Sequence, residues 1–321
     1  MFSVESESKS SQCGNLPDYP KSIYGSVSAV VSERLTVCGG NFRGQILNQC
    51  YSLNAESDQW EAFPSMDEAR SHASAVSLPD GGLWVTGGLS EDGEPTASTS
   101  KYSPVKGHWL PGVDLPGRFR DHCVVRVNDH KVILLASEDG VAMKVYKFDL
   151  RVQIWATTDQ EFPYFDRMAC AHHDGAVHVL GGRDGGGGAP VRSVRLYHPD
   201  TDSWSAGTDL PKALSSPRTI SHNGFLVLLG GYGVDGGMNK DIYVMDAIGD
   251  KWTRLGVSLG QPEAELVALS LNNEVLDDRP CVNQNSVASS SSPLCHLSNK
   301  NQNYHLLFAM GLAILSTIFA Q

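Results

Sequence analysis

The chain has no surplus of cations: 25 Lys and Arg stand against 36 Asp and Glu, for a formal charge of −11 over 321 residues. A general nucleic-acid binder must neutralise phosphates, so that class is disfavoured. The seven cysteines, at 13, 38, 50, 123, 170, 281 and 295, include no CxxC pair and no Cys/His cluster at zinc spacing. A structural zinc site is therefore not expected, and the odd number does not prescribe a fully bridged framework. The opening stretch MFSVESESKSSQ lacks the apolar core of a secretory leader. What the chain does have is glycine, 32 residues without a G-X-Y period, which excludes collagen and points to many tight turns.

Internal repetition dominates the remainder. Trp60, Trp109, Trp155, Trp204 and Trp252 follow one another at intervals of 49, 46, 49 and 48 residues. Seven or nine positions before each stands a large apolar or aromatic residue: Tyr51, Tyr102, Tyr146 with Phe148, Tyr197, and Tyr243 with Met245. Seven and nine share parity, so these residues fall on one face of a strand. In phase with the tryptophans, Gly39-Gly40, Gly87-Gly88, Gly181-Gly182 and Gly230-Gly231 close apolar runs such as LTVCGG and LVLLGG. The third copy departs from this and reads VILLAS, ending at Ser137. Ahead of these runs, Asp80-Gly81, Asn128-Asp129, Asp174-Gly175 and Asn223-Gly224 supply hairpin turns. Each copy reads as four antiparallel strands, a to d, with no sustained helical period. Four such strands bury both faces only when the copies stack radially, as in an all-β propeller.

These residues resemble the kelch-repeat family, with its diglycine after strand b, Tyr in strand c and Trp in strand d. The resemblance spans roughly residues 20 to 276 and implies a kelch-like propeller whose Gly, Tyr and Trp markers build blade cores. After Trp252, the segment AELVALSLNNEVL (264–276) reads as one more a–b hairpin turned at Asn272-Asn273. The missing c and d strands can be laid on the first twenty residues. The expected fold is thus a six-bladed propeller over 1–276, five complete repeats plus a closing blade shared by both ends. Such a closure leaves no open sheet edge.

Residues 277–305 form a polar Ser-rich linker, and 306–321 contain the fifteen-residue uncharged run LLFAMGLAILSTIFA. As a helix at about 1.5 Å per residue that run falls short of a bilayer core of about 30 Å unless its flanks are drawn in. Small residues, a polar spacer and an apolar terminus also fit a glycolipid-attachment signal, with Ser289, Ser290 and Ser291 in the attachment zone. Two readings follow: a cytosolic propeller with a C-terminal tail anchor, or a chain whose leader precedes Met1 and whose propeller faces the extracellular side. The second is preferred. Cys38 and Cys50, on neighbouring strands b and c, are placed to form a bridge or a pair of buried thiols.

Chemistry is sparse. His72, His122, His172 and His222 recur every 50 residues, but the first two begin strand a and the last two end it, so they do not form a metal ring. The stretches beginning at Ser90 and Ser137 lack the glycine of a sialidase Asp-box, and GGRDGGGGAP (181–190) lacks the Lys-Ser/Thr of a phosphate loop. No cofactor or metal is implied and no catalytic residue is assigned. Strand alternation puts the d–a and b–c loops on one face, and Arg70, Arg118, Arg120, Arg167 and Arg218 all fall in or beside d–a loops. In kelch adaptors such arginines line the partner pocket, so the resemblance implies a cationic rim suited to carboxylate or phosphate. The alternative is that they pair with neighbouring acids; Glu91, Asp92, Glu94, Glu138 and Asp139 lie in nearby b–c loops. The expected function is a non-enzymatic module that binds a protein or peptide, one with acidic groups, and that its tail holds at a membrane. The alternative is a propeller enzyme of the copper-oxidase or sugar-processing kind using the same loop face.

Overall fold

The computed structural model describes residues 19–258, apart from 33, 55, 56, 58, 138, 139, 186, 223 and 246–250, together with 267–270 and 306–309. All regular structure among them is β. Blade 1 contains β1 (Val27–Val31), β2 (Arg34–Cys38), β5 (Cys50–Asn54) and β6 (Gln59–Phe63); β3 (Asn41–Phe42) and β4 (Gln45–Ile46) pair within its b–c loop. Blade 2 is β7 (Ser74–Ser77), β8 (Leu83–Thr86), β9 (Thr99–Ser103) and β10 (His108–Pro111). Blade 3 is β11 (Cys123–Arg126), β12 (Lys131–Ala136), β13 (Ala142–Asp149) and β14 (Ile154–Pro163). Blade 4 is β16 (Ala169–His173), β17 (Ala176–Leu180), β19 (Val194–His198) and β20 (Ser203–Ala206), with β15 (Phe165–Asp166) and β18 (Arg183–Asp184) paired beside it. Blade 5 is β21 (Arg218–His222), β22 (Phe225–Leu229), β23 (Asp241–Met245) and β24 (Trp252–Ser258). Every blade is an antiparallel a–b–c–d meander, and the innermost strands β1, β7, β11, β16 and β21 pack side by side in that order. The result, among the described residues, is a β-propeller with five four-stranded blades.

The aromatic period is the register of the outer hairpins. Tyr102 faces Trp109, Phe148 faces Trp155, Tyr197 faces Trp204, Met245 faces Trp252, and Leu53 faces Trp60 across strands c and d. The four pairs of blades 2 to 5 pack toward the preceding blade. Tyr102 and Trp109 join Val27 and Val31 of blade 1 in one apolar cluster, and Tyr146, Phe148 and Trp155 join Val76 and Trp84 of blade 2 in another. Buried aromatics thus unite neighbouring sheets that share no hydrogen-bond ladder, which is why the spacing is legible along the chain.

The diglycines are backbone joints. Gly87 and Gly88 have φ of 55° and 92°, a left-handed conformation that a Cβ disfavours. A Cβ on Gly87 would also lie 2.7 Å from the carbonyl oxygen of Phe119 in the next d–a loop. The chain can pass that close only without a side chain. Where blade 3 has Ala136-Ser137 instead, β12 runs on to Ala136, opposite Lys144, and β13 and β14 extend to eight and ten residues.

The ends differ from expectation in two respects. β25 (Val267–Ser270) lies where a sixth a strand is expected, against β21 on one side and β1 on the other. Its partner, however, is β26 (Leu306–Ala309), antiparallel from Val267↔Ala309 to Ser270↔Leu306. The start of the apolar tail is therefore a strand, not a helix. An a strand with a bare edge leaves N–H and C=O groups unpaired, and an apolar extended segment satisfies them as well as the expected b strand would. The proposed turn at 272–273, the N-terminal c and d strands, the 277–305 linker, the Ser289–Ser291 zone and the rest of the tail lie outside the described residues. Among the described residues no helix is long and apolar enough to cross a membrane.

Candidate binding face at the channel mouth

The entry to each inner strand is built alike. Gly25, His72, Asp121, Arg167 and Ser216, one per blade, have φ of 65°, 53°, 51°, 53° and 50°. Four of the five are not glycine, and single left-handed residues of this kind cost about 1 kcal/mol or more, so the surroundings must enforce the conformation. Backbone bonds between blades do so: His72 N–H donates to Gly25 O at 2.8 Å, Asp121 N–H to His72 O at 3.0 Å, and Ser216 N–H to Arg167 O at 2.7 Å. A necklace of equivalent positions thus encircles the channel with five different side chains. It borders a cavity of about 180 Å³, whose walls include His72, Asp121, His122, Arg167, Cys170 and Arg218.

The five arginines do not share one fate. Arg167 is half-buried at the mouth, and its guanidinium has no hydrogen-bond or ion-pair partner among the described residues. Arg120 is exposed and lies in the electrostatic neighbourhood of Tyr164, whose hydroxyl burial pushes upward, together with Asp166 and Asp121. Arg118 is also exposed; it helps the Ser90 hydroxyl, the main cause, to hold the carboxyl of Asp92 below its usual range. That places one b–c acid against the rim, as the neutralising alternative has it. Arg218 opens β21 and lines the cavity, engaged with a neighbour.

Arg70 is a correction to the expected rim. Its side chain is only 1% exposed. Nη1 donates to the carbonyls of Gly87 (3.0 Å) and Ser98 (2.9 Å), and Nη2 to Glu68 Oε2 (2.7 Å) and Ser98 Oγ (2.8 Å). Burial lowers its pKa while Glu68 and Asp114 oppose the shift. Arg70 pins the d–a loop to blade 2 and presents no charge to a ligand. Equivalent loop positions are Phe119 and Leu214, both buried, so Arg70 occupies a core position with a polar network in place of an apolar one.

His122 is another non-participant in charge. His122 Nε2 lies 3.0 Å from the Thr86 hydroxyl, which is also 3.2 Å from the carbonyl oxygen of Ser74. Burial pushes His122 down to about 3, so the ring is neutral. Cys38 and Cys50, directly opposite on β2 and β5, are joined by a disulfide, and a second disulfide links Cys123 of β11 to Cys170 of β16. No set of His, Cys, Asp or Glu residues among those described is arranged to hold a metal ion. Sequence reasoning weighed His72 only as a member of a metal ring and missed it, with Asp121 and Ser216, as part of the mouth. They lie 14 or 15 residues before Gly87, Ala136 and Gly230 respectively, so counting back from the diglycine position would have found them.

Comparisons with known proteins agree with this architecture. The Kelch motif family matches residues 166–211, which span the entry to blade 4 and all its strands. Kelch-like protein 35 of Mus musculus is 29% identical over 165 residues, 51% of this chain and 28% of the relative. Kelch-like protein terF of Aspergillus terreus is 26% identical over 189 residues, covering 54% and 41%. Kelch-like protein 23 of Homo sapiens is 25% identical over 253 residues, covering 64% and 45%. The chain spans less than half the length of each of these relatives. In its motif match, its relatives and its five meander blades among the described residues, the chain is similar to the kelch-repeat β-propellers.

Proposed function

We propose that the protein is a non-enzymatic binding scaffold whose channel mouth takes an acidic group of a protein or peptide partner. The observation that carries this reading is Arg167: a guanidinium held at the mouth without a protein partner among the described residues. Beside it stand the Ser216 hydroxyl position and, farther out, the exposed Arg120 and Arg118. A carboxylate entering the channel meets a bidentate donor there, and the outer arginines steer it in. Asp121 on the neighbouring blade opposes a second negative charge, which favours one inserted acidic side chain over a polyanion. The kelch-like names of the relatives support a scaffold and point to no reaction.

The same reading takes the ring as six-bladed, because β25 lies between β21 and β1. A membrane-held form remains the reading for the apolar tail beyond residue 309, whereas the pairing of Leu306–Ala309 with β25 favours use of the tail's first residues in ring closure. The two disulfides favour an oxidising compartment, in keeping with an extracellular face.

Titration of a fluorescent aspartate- and glutamate-rich peptide tests the binding site. Replacing Arg167 and Arg120 by Ala is expected to weaken binding by about tenfold or more, the range for lost charge-assisted pairs. Unchanged affinity would refute the cationic mouth.

A further inference from the structure

Three blade boundaries are closed by the same pair of backbone bonds. The second glycine of a blade donates to the next d–a loop: Gly40 to Arg70 O at 2.8 Å, Gly88 to Phe119 O at 2.8 Å, and Gly182 to Leu214 O at 2.9 Å. At the same boundaries the necklace bonds run from His72 to Gly25, from Asp121 to His72, and from Ser216 to Arg167. The boundary between blades 3 and 4 has neither. Its diglycine is replaced by Ala136-Ser137, and among the described residues no backbone bond joins Ser137 to Phe165 or Arg167 to Asp121. A bond from Tyr164 N–H to Val141 O at 3.2 Å remains.

This boundary is also the one that the Cys123–Cys170 disulfide crosses, from one innermost strand to the next, with Cα atoms 6.2 Å apart, within the range such a bond requires. Cys38–Cys50 stays inside blade 1 and ties no blades together. Cys123 stands two residues after Asp121, and Cys170 three after Arg167. We propose that the Cys123–Cys170 bond is the joint that replaces the missing diglycine between blades 3 and 4, and that its reduction loosens the channel mouth. The second half of that statement rests on the binding reading above; the first half stands without it.

Cys123 is 2% exposed, whereas Cys170 is half-buried and lines the cavity, so a small dithiol entering the channel meets the Cys170 sulfur first. One thiolate of the dithiol attacks Cys170 Sγ, the S–S bond breaks, and Cys123 leaves as a thiolate that takes a proton. The second thiol then displaces Cys170, which is protonated in turn. Two electrons and two protons pass to the protein, and the dithiol ends as a disulfide.

Non-reducing peptide mapping of the full chain is expected to recover a linked peptide pair containing Cys123 and Cys170. Hydrogen exchange is then followed in the Cys38→Ala/Cys50→Ala background, before and after dithiothreitol, and in Cys123→Ala/Cys170→Ala. Exchange in β11 and β16 is expected to rise by about tenfold on reduction or on removal of Cys123 and Cys170, while β1 and β7 change less than twofold. Absence of the linked pair, or a rise spread evenly over all blades, overturns the joint; because reduction is applied to protein already folded, a failure of the double variant to fold does not decide the matter. The acidic peptide reads the second half: binding to oxidised protein that falls on reduction supports control of the mouth, and equal binding before and after overturns it. Failure of that peptide to bind oxidised protein refutes the binding reading, and with it the control of the mouth, and leaves the joint to the exchange data.

Discussion

The indole N–H of Trp109 donates to the carbonyl oxygen of Pro64, 2.7 Å away across the boundary between blades 1 and 2. Trp252 makes the equivalent bond to Thr208 O, at 3.0 Å, between blades 5 and 4. At these two boundaries the repeating tryptophan is an apolar plug whose single polar atom is spent on the neighbouring sheet, whereas the indole nitrogens of Trp155 and Trp204 are buried without a hydrogen-bond partner among the described residues.

Truncation of Trp109, which is 4% exposed, removes both contributions. Trp109→Ala is expected to destabilise the fold by about 3–5 kcal/mol, and Trp109→Phe, which keeps most of the ring area, by about 1–2 kcal/mol. Urea unfolding followed by circular dichroism measures both, and a Trp109→Phe variant as stable as the parent would show that the indole N–H contributes nothing.

Gly88 and Gly93 separate two demands that a positive φ imposes. Gly88, at φ 92°, would place a Cβ 2.5 Å from Ser71 O and 2.9 Å from the Ala73 side chain, whereas Gly93, at φ 81°, faces open space. Gly93→Ala should cost about 1 kcal/mol of backbone strain, and Gly88→Ala about 2–4 kcal/mol because a clash with backbone is added. Thermal unfolding of the two variants should rank them in that order.

Arg70 and Arg167 are expected to part company when replaced. Arg70→Met removes the donor to the buried Gly87 carbonyl and the bonds to the part-buried Ser98 carbonyl and the half-exposed Glu68, with an expected loss of about 1–3 kcal/mol and no selective effect on ligand affinity in folded protein. Arg167→Ala should leave the unfolding midpoint within about 0.5 kcal/mol of the parent and act on binding alone. Calorimetric unfolding beside peptide titration distinguishes them; a shared phenotype would place both residues in the same role.

Acid should weaken the fold through buried imidazoles. Burial moves His122 from an ordinary 6.5 down to about 3 and His178 from 6.5 down to about 4. Folded-state values lie below the unfolded ones, so the unfolded chain binds more protons between them. The stabilising contribution is complete above about 6.5 and is lost as pH falls through about 4 to 3. Unfolding free energies measured from pH 7.5 to 4.5 should decline, and more shallowly in His178→Leu than in the parent.

Much of the fold was legible because packing repeats. Tyr102 and Trp109, or Tyr197 and Trp204, meet across one hairpin at a fixed separation, and each copy reports the same contact. Gly87-Gly88 was legible as a marker, though not as a joint, since the carbonyl it passes belongs to the next copy. The mouth was harder to read. Gly25, His72, Asp121, Arg167 and Ser216 share a conformation and no chemistry, so composition hides them. Arg70 and Arg167 look alike in sequence, and only the loop's path buries one and presents the other. Cys123 and Cys170 are 47 residues apart, one on each of two consecutive innermost strands, and no local pattern joins them. The run beginning at Leu306 has the composition of an anchor, which an inserted strand shares.

In the necklace, the hydrogen bonds that set the aperture run through peptide groups, so its width does not depend on which side chains are displayed. Shape and chemistry are thereby uncoupled at this opening. Histidine, aspartate, arginine and serine already occupy equivalent stations, which shows how broad a chemical alphabet the left-handed geometry accepts. Exchanging those letters gives the same doorway a different lock, and a relative with another set of residues there would choose its guest by different rules while keeping an unaltered frame.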